Sequence, residues 1–166
     1  MNIKNIKHLK ILIFIIFLSH ININAYALTV ETISIEDLNK MTTEESKYKL
    51  FYFFATWCSE CRKSLRDLIE KGSELIKDGL KIYYISLDYD KNFLKKYLIR
   101  FQQKEGNVYY VENAQYKINL FFKQHNIDFD QSIPYIIIYD PNDNVIASGG
   151  YHVGKVLEFL KKKLSE

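Results

Sequence analysis

The sequence predicts an α/β domain: a central mixed β-sheet flanked by helices on both faces. Three observations carry that prediction. Apolar runs of strand character alternate along the chain with segments of helical periodicity. Two of the runs, Tyr48 to Ala55 and Leu80 to Leu87, are apolar on both alternating faces, as strands covered on each side must be. The chain then closes with a hairpin pattern followed by a helix.

Taken in order, a short strand is expected over Leu28 to Thr32. Ser34, with Asp37 three places on, reads as the N-cap of a helix ending near Met41. The polar stretch Thr42 to Lys47 reads as a loop, and the aromatic strand Tyr48 to Ala55 delivers the chain to Thr56-Trp57-Cys58. From Cys58 a helix carries Leu65, Leu68, Ile69, Leu75 and Ile76 at helical spacing and stops at Gly79. After the strand Leu80 to Leu87, Asp90 caps a helix whose stripe is Phe93, Leu94, Tyr97, Leu98 and Phe101, ending near Gly106. A strand over Val108 to Val111 follows, then a helix capped by Asn113 and carrying Ile118, Phe121, Phe122 and His125. An irregular segment, Asn126 to Ile133, leads to Pro134 and the strand Tyr135 to Tyr139. The turn Pro141 to Asn144 returns a strand over Val145 to Ser148, ended by Gly149-Gly150. The last helix presents Val153, Val156, Leu157, Leu160 and Leu164, with Lys161 to Lys163 at its C-terminus, where cations suit the helix dipole.

At 166 residues and 48% apolar composition, the chain holds enough for one ordinary domain with its own core. The formal charge of +3 is not a basic face. The first 27 residues contribute three of the 23 Lys and Arg, and none of the 20 Asp and Glu, so residues 28–166 are formally neutral. A nucleic-acid partner is therefore not expected. The same first 27 residues place Lys4, Lys7 and Lys10 before the apolar run Ile11 to Leu18 and the small-residue site Ala25-Tyr26-Ala27, the layout of a secretory signal. Left uncleaved, residues 9–23 would be an N-terminal anchor, although the run falls short of the roughly 18 to 20 residues that span a bilayer. Either fate exports residues 28–166 as a periplasmic domain, and the membrane is expected as a partner only through such an anchor.

Export changes the meaning of the two cysteines, Cys58 and Cys61, because thiols outside the cytosol can oxidise and stay oxidised. A bridge that closes so short a loop contributes little to stability, which suggests a working pair rather than a staple. The pair falls where a buried strand meets a helix, whose free amide hydrogens and positive dipole end stabilise a thiolate at Cys58. Cys61, one turn further along, is positioned to attack a mixed disulfide formed on Cys58. The expected roles are Cys58 as nucleophile and Cys61 as resolving residue, with no cofactor.

The segments Ala55-Thr56-Trp57-Cys58-Ser59-Glu60-Cys61, Ser132-Ile133-Pro134 and Gly149-Gly150 together resemble the thioredoxin superfamily over nearly all of residues 28–166. The additional helix and strand between Asp90 and Val111 and the turn at Asp140 to Asp143 are similar to the exported thioredoxins of the TlpA and ResA type. That resemblance implies a thioredoxin-like fold with an extra αβ insertion before the cis-proline hairpin. It implies a thiol-disulfide oxidoreductase with protein thiols and disulfides as substrates; many such relatives are reductants in cytochrome c or oxidase assembly, and a reductase would need a membrane electron donor. It further implies that Pro134 is a cis proline facing the cysteines, that the Ile133 backbone pairs with an extended substrate segment, and that Trp57 shapes the docking surface. Without the family, Pro134 is a proline opening a strand and Trp57 a large core aromatic.

The chain departs from the cytosolic pattern in two places. Tyr52 stands where those proteins have a buried acid, so proton transfer from Cys61 falls to water or another group. Between the cysteines, Ser59 and Glu60 modulate the pair, Glu60 opposing a thiolate and Arg62 and Lys63 partly offsetting it. Sequence leaves the direction of electron flow open: a disulfide-introducing oxidant is the alternative. Zinc is not expected, because Cys58, Cys61, His125 and His152 lack a zinc-ligand spacing. Copper(I) would have only Cys58 and Cys61 as soft ligands, in a copper-handling role. His125 reads as a half-buried residue on an apolar helix face, His152 as a helix start, and Asp88 and Asp90 as a strand end and a helix cap.

Overall fold

A computed structural model describes residues 29–99 and 107–166. The expected signal or anchor over 1–27, Leu28, Phe101 and the helix end near Gly106 lie outside them. The described residues form six strands in one sheet and five helices. They run β1 (Val30–Ile33), α1 (Ile35–Thr42), β2 (Tyr48–Phe54), α2 (Ser59–Lys77), β3 (Leu80–Ser86), α3 (Lys91–Ile99), β4 (Val108–Val111), α4 (Ala114–Gln124), β5 (Tyr135–Tyr139), β6 (Val145–Gly149) and α5 (Val153–Leu164). The sheet order is β1-β4-β3-β2-β5-β6. Pairing is parallel from β1 through β4 and β3 to β2, and antiparallel from β2 through β5 to β6. The expected mixed sheet is present, and α3 and β4 are the helix and strand expected between Asp90 and Val111.

β2 alternates between two cores. Leu50, Tyr52 and Phe54 face a layer formed by α2, α3 and α5, through Leu65, Leu68, Leu94, Leu98, Val156 and Leu160. Phe51 and Phe53 face the layer of α1 and α4, through Leu38, Ile118, Phe121 and Phe122. A strand with large side chains on both faces has to lie in the middle of the sheet, and β2 does. Because β5 runs against β2, with Phe53 opposite Tyr135, the end of β2 that leads to Cys58 lies beside the start of β5 at Pro134.

The helix boundaries follow local chemistry. Ser34 and Asp37 form a reciprocal capping box at the start of α1. α2 stops at Gly79, whose φ of 106° is open to glycine and strained for other residues. The Asp90 carboxylate accepts from the backbone N–H groups of Asn92 and Phe93 at the start of α3. Three expectations need correction. Asn113 stands at the N-cap of α4 but adopts a left-handed conformation and makes no side-chain cap bond. Ile76 and Phe93, assigned to buried stripes, are 47% and 58% exposed, because each falls beyond the arc of its helix that faces the sheet. Asp88 is more than a strand end, as the site shows.

Candidate functional site

Cys58 is the N-cap of α2, in extended conformation, and its sulfur accepts the Cys61 backbone N–H at 3.1 Å. The helix therefore aims an amide hydrogen at the first sulfur. Cys58 and Cys61 are joined as a disulfide, with Cα atoms 5.2 Å apart. The two sulfurs differ in access: Cys58 is half-buried, whereas Cys61 is fully enclosed among the side chains of the α2 layer.

Two sets of bonds hold the turn before Cys58. The buried Asp88 carboxylate accepts the Thr56 backbone N–H at 3.0 Å, the Thr56 hydroxyl at 2.6 Å and the Ser86 hydroxyl at 2.8 Å. From the other side the Arg62 guanidinium donates to the Thr56 carbonyl at 3.0 Å. Sequence reasoning missed this clamp. Its signal is the strand register: Phe54 pairs with Ser86, so Thr56 and Asp88 stand two residues beyond the same pair on parallel strands.

Opposite the sulfurs, the Ile133–Pro134 peptide bond is cis, and the Ile133 carbonyl oxygen lies 3.6 Å from the Cys58 sulfur. Trp57 is 54% exposed and not a core aromatic; it stacks on Tyr89 with ring centroids 6.1 Å apart and planes within 11°. Ser59 and Glu60 are exposed in the first turn of α2. Tyr52, in the place of the missing acid, is fully buried and donates its hydroxyl to the Cys61 carbonyl at 3.0 Å. Burial pushes its phenol well above the ordinary value, so it remains a protonated donor and takes no proton from Cys61 near neutral pH.

The remaining candidates lie apart from this cluster. His125 caps the C-terminus of α4, half-buried against Phe121 and Tyr139, with Nε2 3.0 Å from the Asn39 amide oxygen. His152 is the exposed N-cap of α5. Among the described residues no three His, Cys, Asp or Glu side chains gather into a metal-holding group, and no helix is long and apolar enough to cross a membrane.

Comparison with known proteins agrees with this geometry. The model of a family described as thioredoxin-like matches residues 46–145. No curated protein matches the chain. Among solved structures, the fold is similar to a thiol:disulfide interchange protein from Bacteroides sp., with TM-score 0.60 and 22% identity over 78% of each chain. It is similar to a thiol:disulfide interchange protein of the thioredoxin family from Chlorobium tepidum TLS, with TM-score 0.58 and 21% identity over 71% of this chain and 80% of that one. It is also similar to the thioredoxin domain of a thiol-disulfide oxidoreductase from Bacteroides vulgatus, with TM-score 0.54 and 24% identity over 74% and 84%.

Proposed function

This chain belongs to the thioredoxin-like family, and from that premise we propose that it is an exported thiol-disulfide oxidoreductase that reduces protein disulfides through Cys58 and Cys61. The observation that carries the reading is the Cys58–Cys61 disulfide at the N-terminus of α2, facing the Ile133 carbonyl.

In the reducing direction, the Cys58 thiolate attacks one sulfur of a substrate disulfide. The substrate bond breaks, its other sulfur leaves as a thiolate, and Cys58 is left in a mixed disulfide. Cys61 then loses its proton to water and attacks the Cys58 sulfur, forming the disulfide seen here and releasing the second substrate thiol. Two electrons have passed to the substrate, and a membrane donor returns them. The Cys61 amide hydrogen on the Cys58 sulfur supports Cys58 as the stabilised thiolate; the enclosure of Cys61 supports its role as the resolving residue. Trp57, Ile133 and Pro134 form the docking surface, Ile133 through its backbone, while Ser59 and Glu60 modulate the pair from the exposed turn. Residues 1–27 act as signal peptide or membrane anchor.

The test is the reduction potential of the pair, measured in a series of thiol–disulfide buffers. A value near that of thioredoxin, about −270 mV, is expected of a reductant. A value near about −120 mV would instead make this a protein that introduces disulfides.

A further inference from the structure

Beside the disulfide lies a pocket of about 140 Å³. A cavity of about 150 Å³ lined by apolar side chains holds a benzene ring, so this one has room for a single aromatic ring. Trp57 and Ile133 form its walls on the disulfide side, the first adjoining Cys58 and the second carrying the carbonyl that faces the Cys58 sulfur. Leu87, Ile118 and Phe129 give it an apolar lining. Phe129 is fixed in place by stacking on Phe122, with centroids 3.9 Å apart and planes within 8°, and by an edge contact with Tyr135 at 5.0 Å.

The polar groups of the pocket are neutral. Gln115 and Asn119 stand one turn apart on α4, and Gln131 sits in the loop before Pro134 with a left-handed φ of 67°. A residue other than glycine keeps that conformation only where its surroundings enforce it. Among the described residues lining the pocket there is no charged side chain. An ionic group entering it would shed water and meet amides but no opposite charge. A small aliphatic group would leave it unfilled, whereas a ring meets apolar walls and finds amides for a hydroxyl.

We propose that this pocket receives a neutral aromatic side chain, phenylalanine or tyrosine, adjoining the cysteine of the substrate, and so selects which disulfides are attacked. The inference rests on Cys58 being the nucleophile and adds to it the chemistry of the neighbouring substrate residue.

The test uses short peptides whose single cysteine carries thionitrobenzoate as a mixed disulfide, with Phe, Tyr, Ala, Lys or Glu on either flank. The Cys58 thiolate attacks the peptide sulfur, forms the Cys58–peptide disulfide and expels thionitrobenzoate, whose absorbance gives the rate. The probes are the full chain carrying Cys61→Ser and, in case that variant folds poorly, the reduced natural protein. Each rate is divided by that of the same peptide with glutathione. The aromatic peptides of one flank should react about tenfold faster than the Ala peptide, the discrimination one apolar group can supply, and the Lys and Glu peptides no faster than it. Asn119→Trp, which fills the pocket from an exposed position on its rim, should bring the aromatic-to-Ala ratio towards one. Equal rates for all peptides, or a ratio unmoved by Asn119→Trp, would overturn the pocket and leave the nucleophile standing. No adduct with any peptide would overturn both.

Discussion

At the scale of single residues, one covalent bond joins two sulfurs with different surroundings. Cys58 is half-buried and receives an amide hydrogen; Cys61 is enclosed. Cys58→Ser should therefore abolish turnover with a disulfide substrate, whereas Cys61→Ser should accumulate mixed disulfides with protein partners, visible as reducible bands on non-reducing gels. If Cys61→Ser traps no partner in cells, the two-step mechanism fails. Asp88 makes a separate prediction. Replacing it with alanine leaves the buried Thr56 N–H and hydroxyl without an acceptor, at a cost of about 2–3 kcal/mol read from the urea midpoint. Asp88→Asn keeps one acceptor oxygen and should recover part of that loss. The cysteine pair was legible in the sequence because its chemistry is local. The Asp88 clamp was not, since it depends on the register between parallel strands, which no local pattern encodes.

At the scale of elements, α1 and α4 lie on one face of the sheet and meet at Asn39, whose amide donates to Gln124 and whose oxygen faces His125 Nε2. An amide oxygen only accepts, so Nε2 carries the proton of the neutral ring. Burial lowers the His125 pKa, so below the ordinary histidine value of about 6.5 the unfolded chain binds a proton that the folded one resists. Its contribution to stability is then complete above that value and lost as pH falls below it. His125→Gln should narrow the gap between urea midpoints measured at about pH 5 and pH 7.5; an unchanged gap would rule out the imidazole as its source. At the start of α1, Ser34→Ala removes the acceptor for the Asp37 N–H and should cost about 1 kcal/mol in thermal or urea unfolding. That capping box was readable from Ser34 and Asp37 alone. The exposure of Ile76 and Phe93 was not, because helical spacing identifies a stripe but not how wide an arc the sheet will cover.

At the scale of the molecule, the end of the sheet away from the cysteines is tied by a buried charge. Lys49 is 1% exposed and donates to the Asp143 carboxylate in the β5–β6 turn and to the Glu44 carbonyl before β2. Asp143→Ala removes the carboxylate bonded to that ammonium, leaving the Glu44 carbonyl and the more distant charges of Asp140 and Glu44, and should cost about 2–3 kcal/mol, less than a fully enclosed pair because Asp143 is 40% exposed. Lys49→Met, which removes the charge rather than its partner, should cost less in the same urea titration.

The antiparallel contact between β2 and β5 brings together the two loops of the site, although Cys58 and Pro134 are 76 positions apart. Their separation in space is set by one ladder of backbone bonds, from Lys49 with Tyr139 to Phe53 with Tyr135. Of the chain running between them, Arg62 on α2 and Asp88 after β3 steady the Thr56 turn, while the strand pairing itself is made without it. The site thus behaves like a pair of jaws on a fixed hinge, and the length of chain looped out between Asp88 and α4 is a free parameter. Segments can be gained or lost around α3 and β4, which supply neither the ladder nor the bonds to Thr56, so this part of the chain can diversify while the chemistry stays in register.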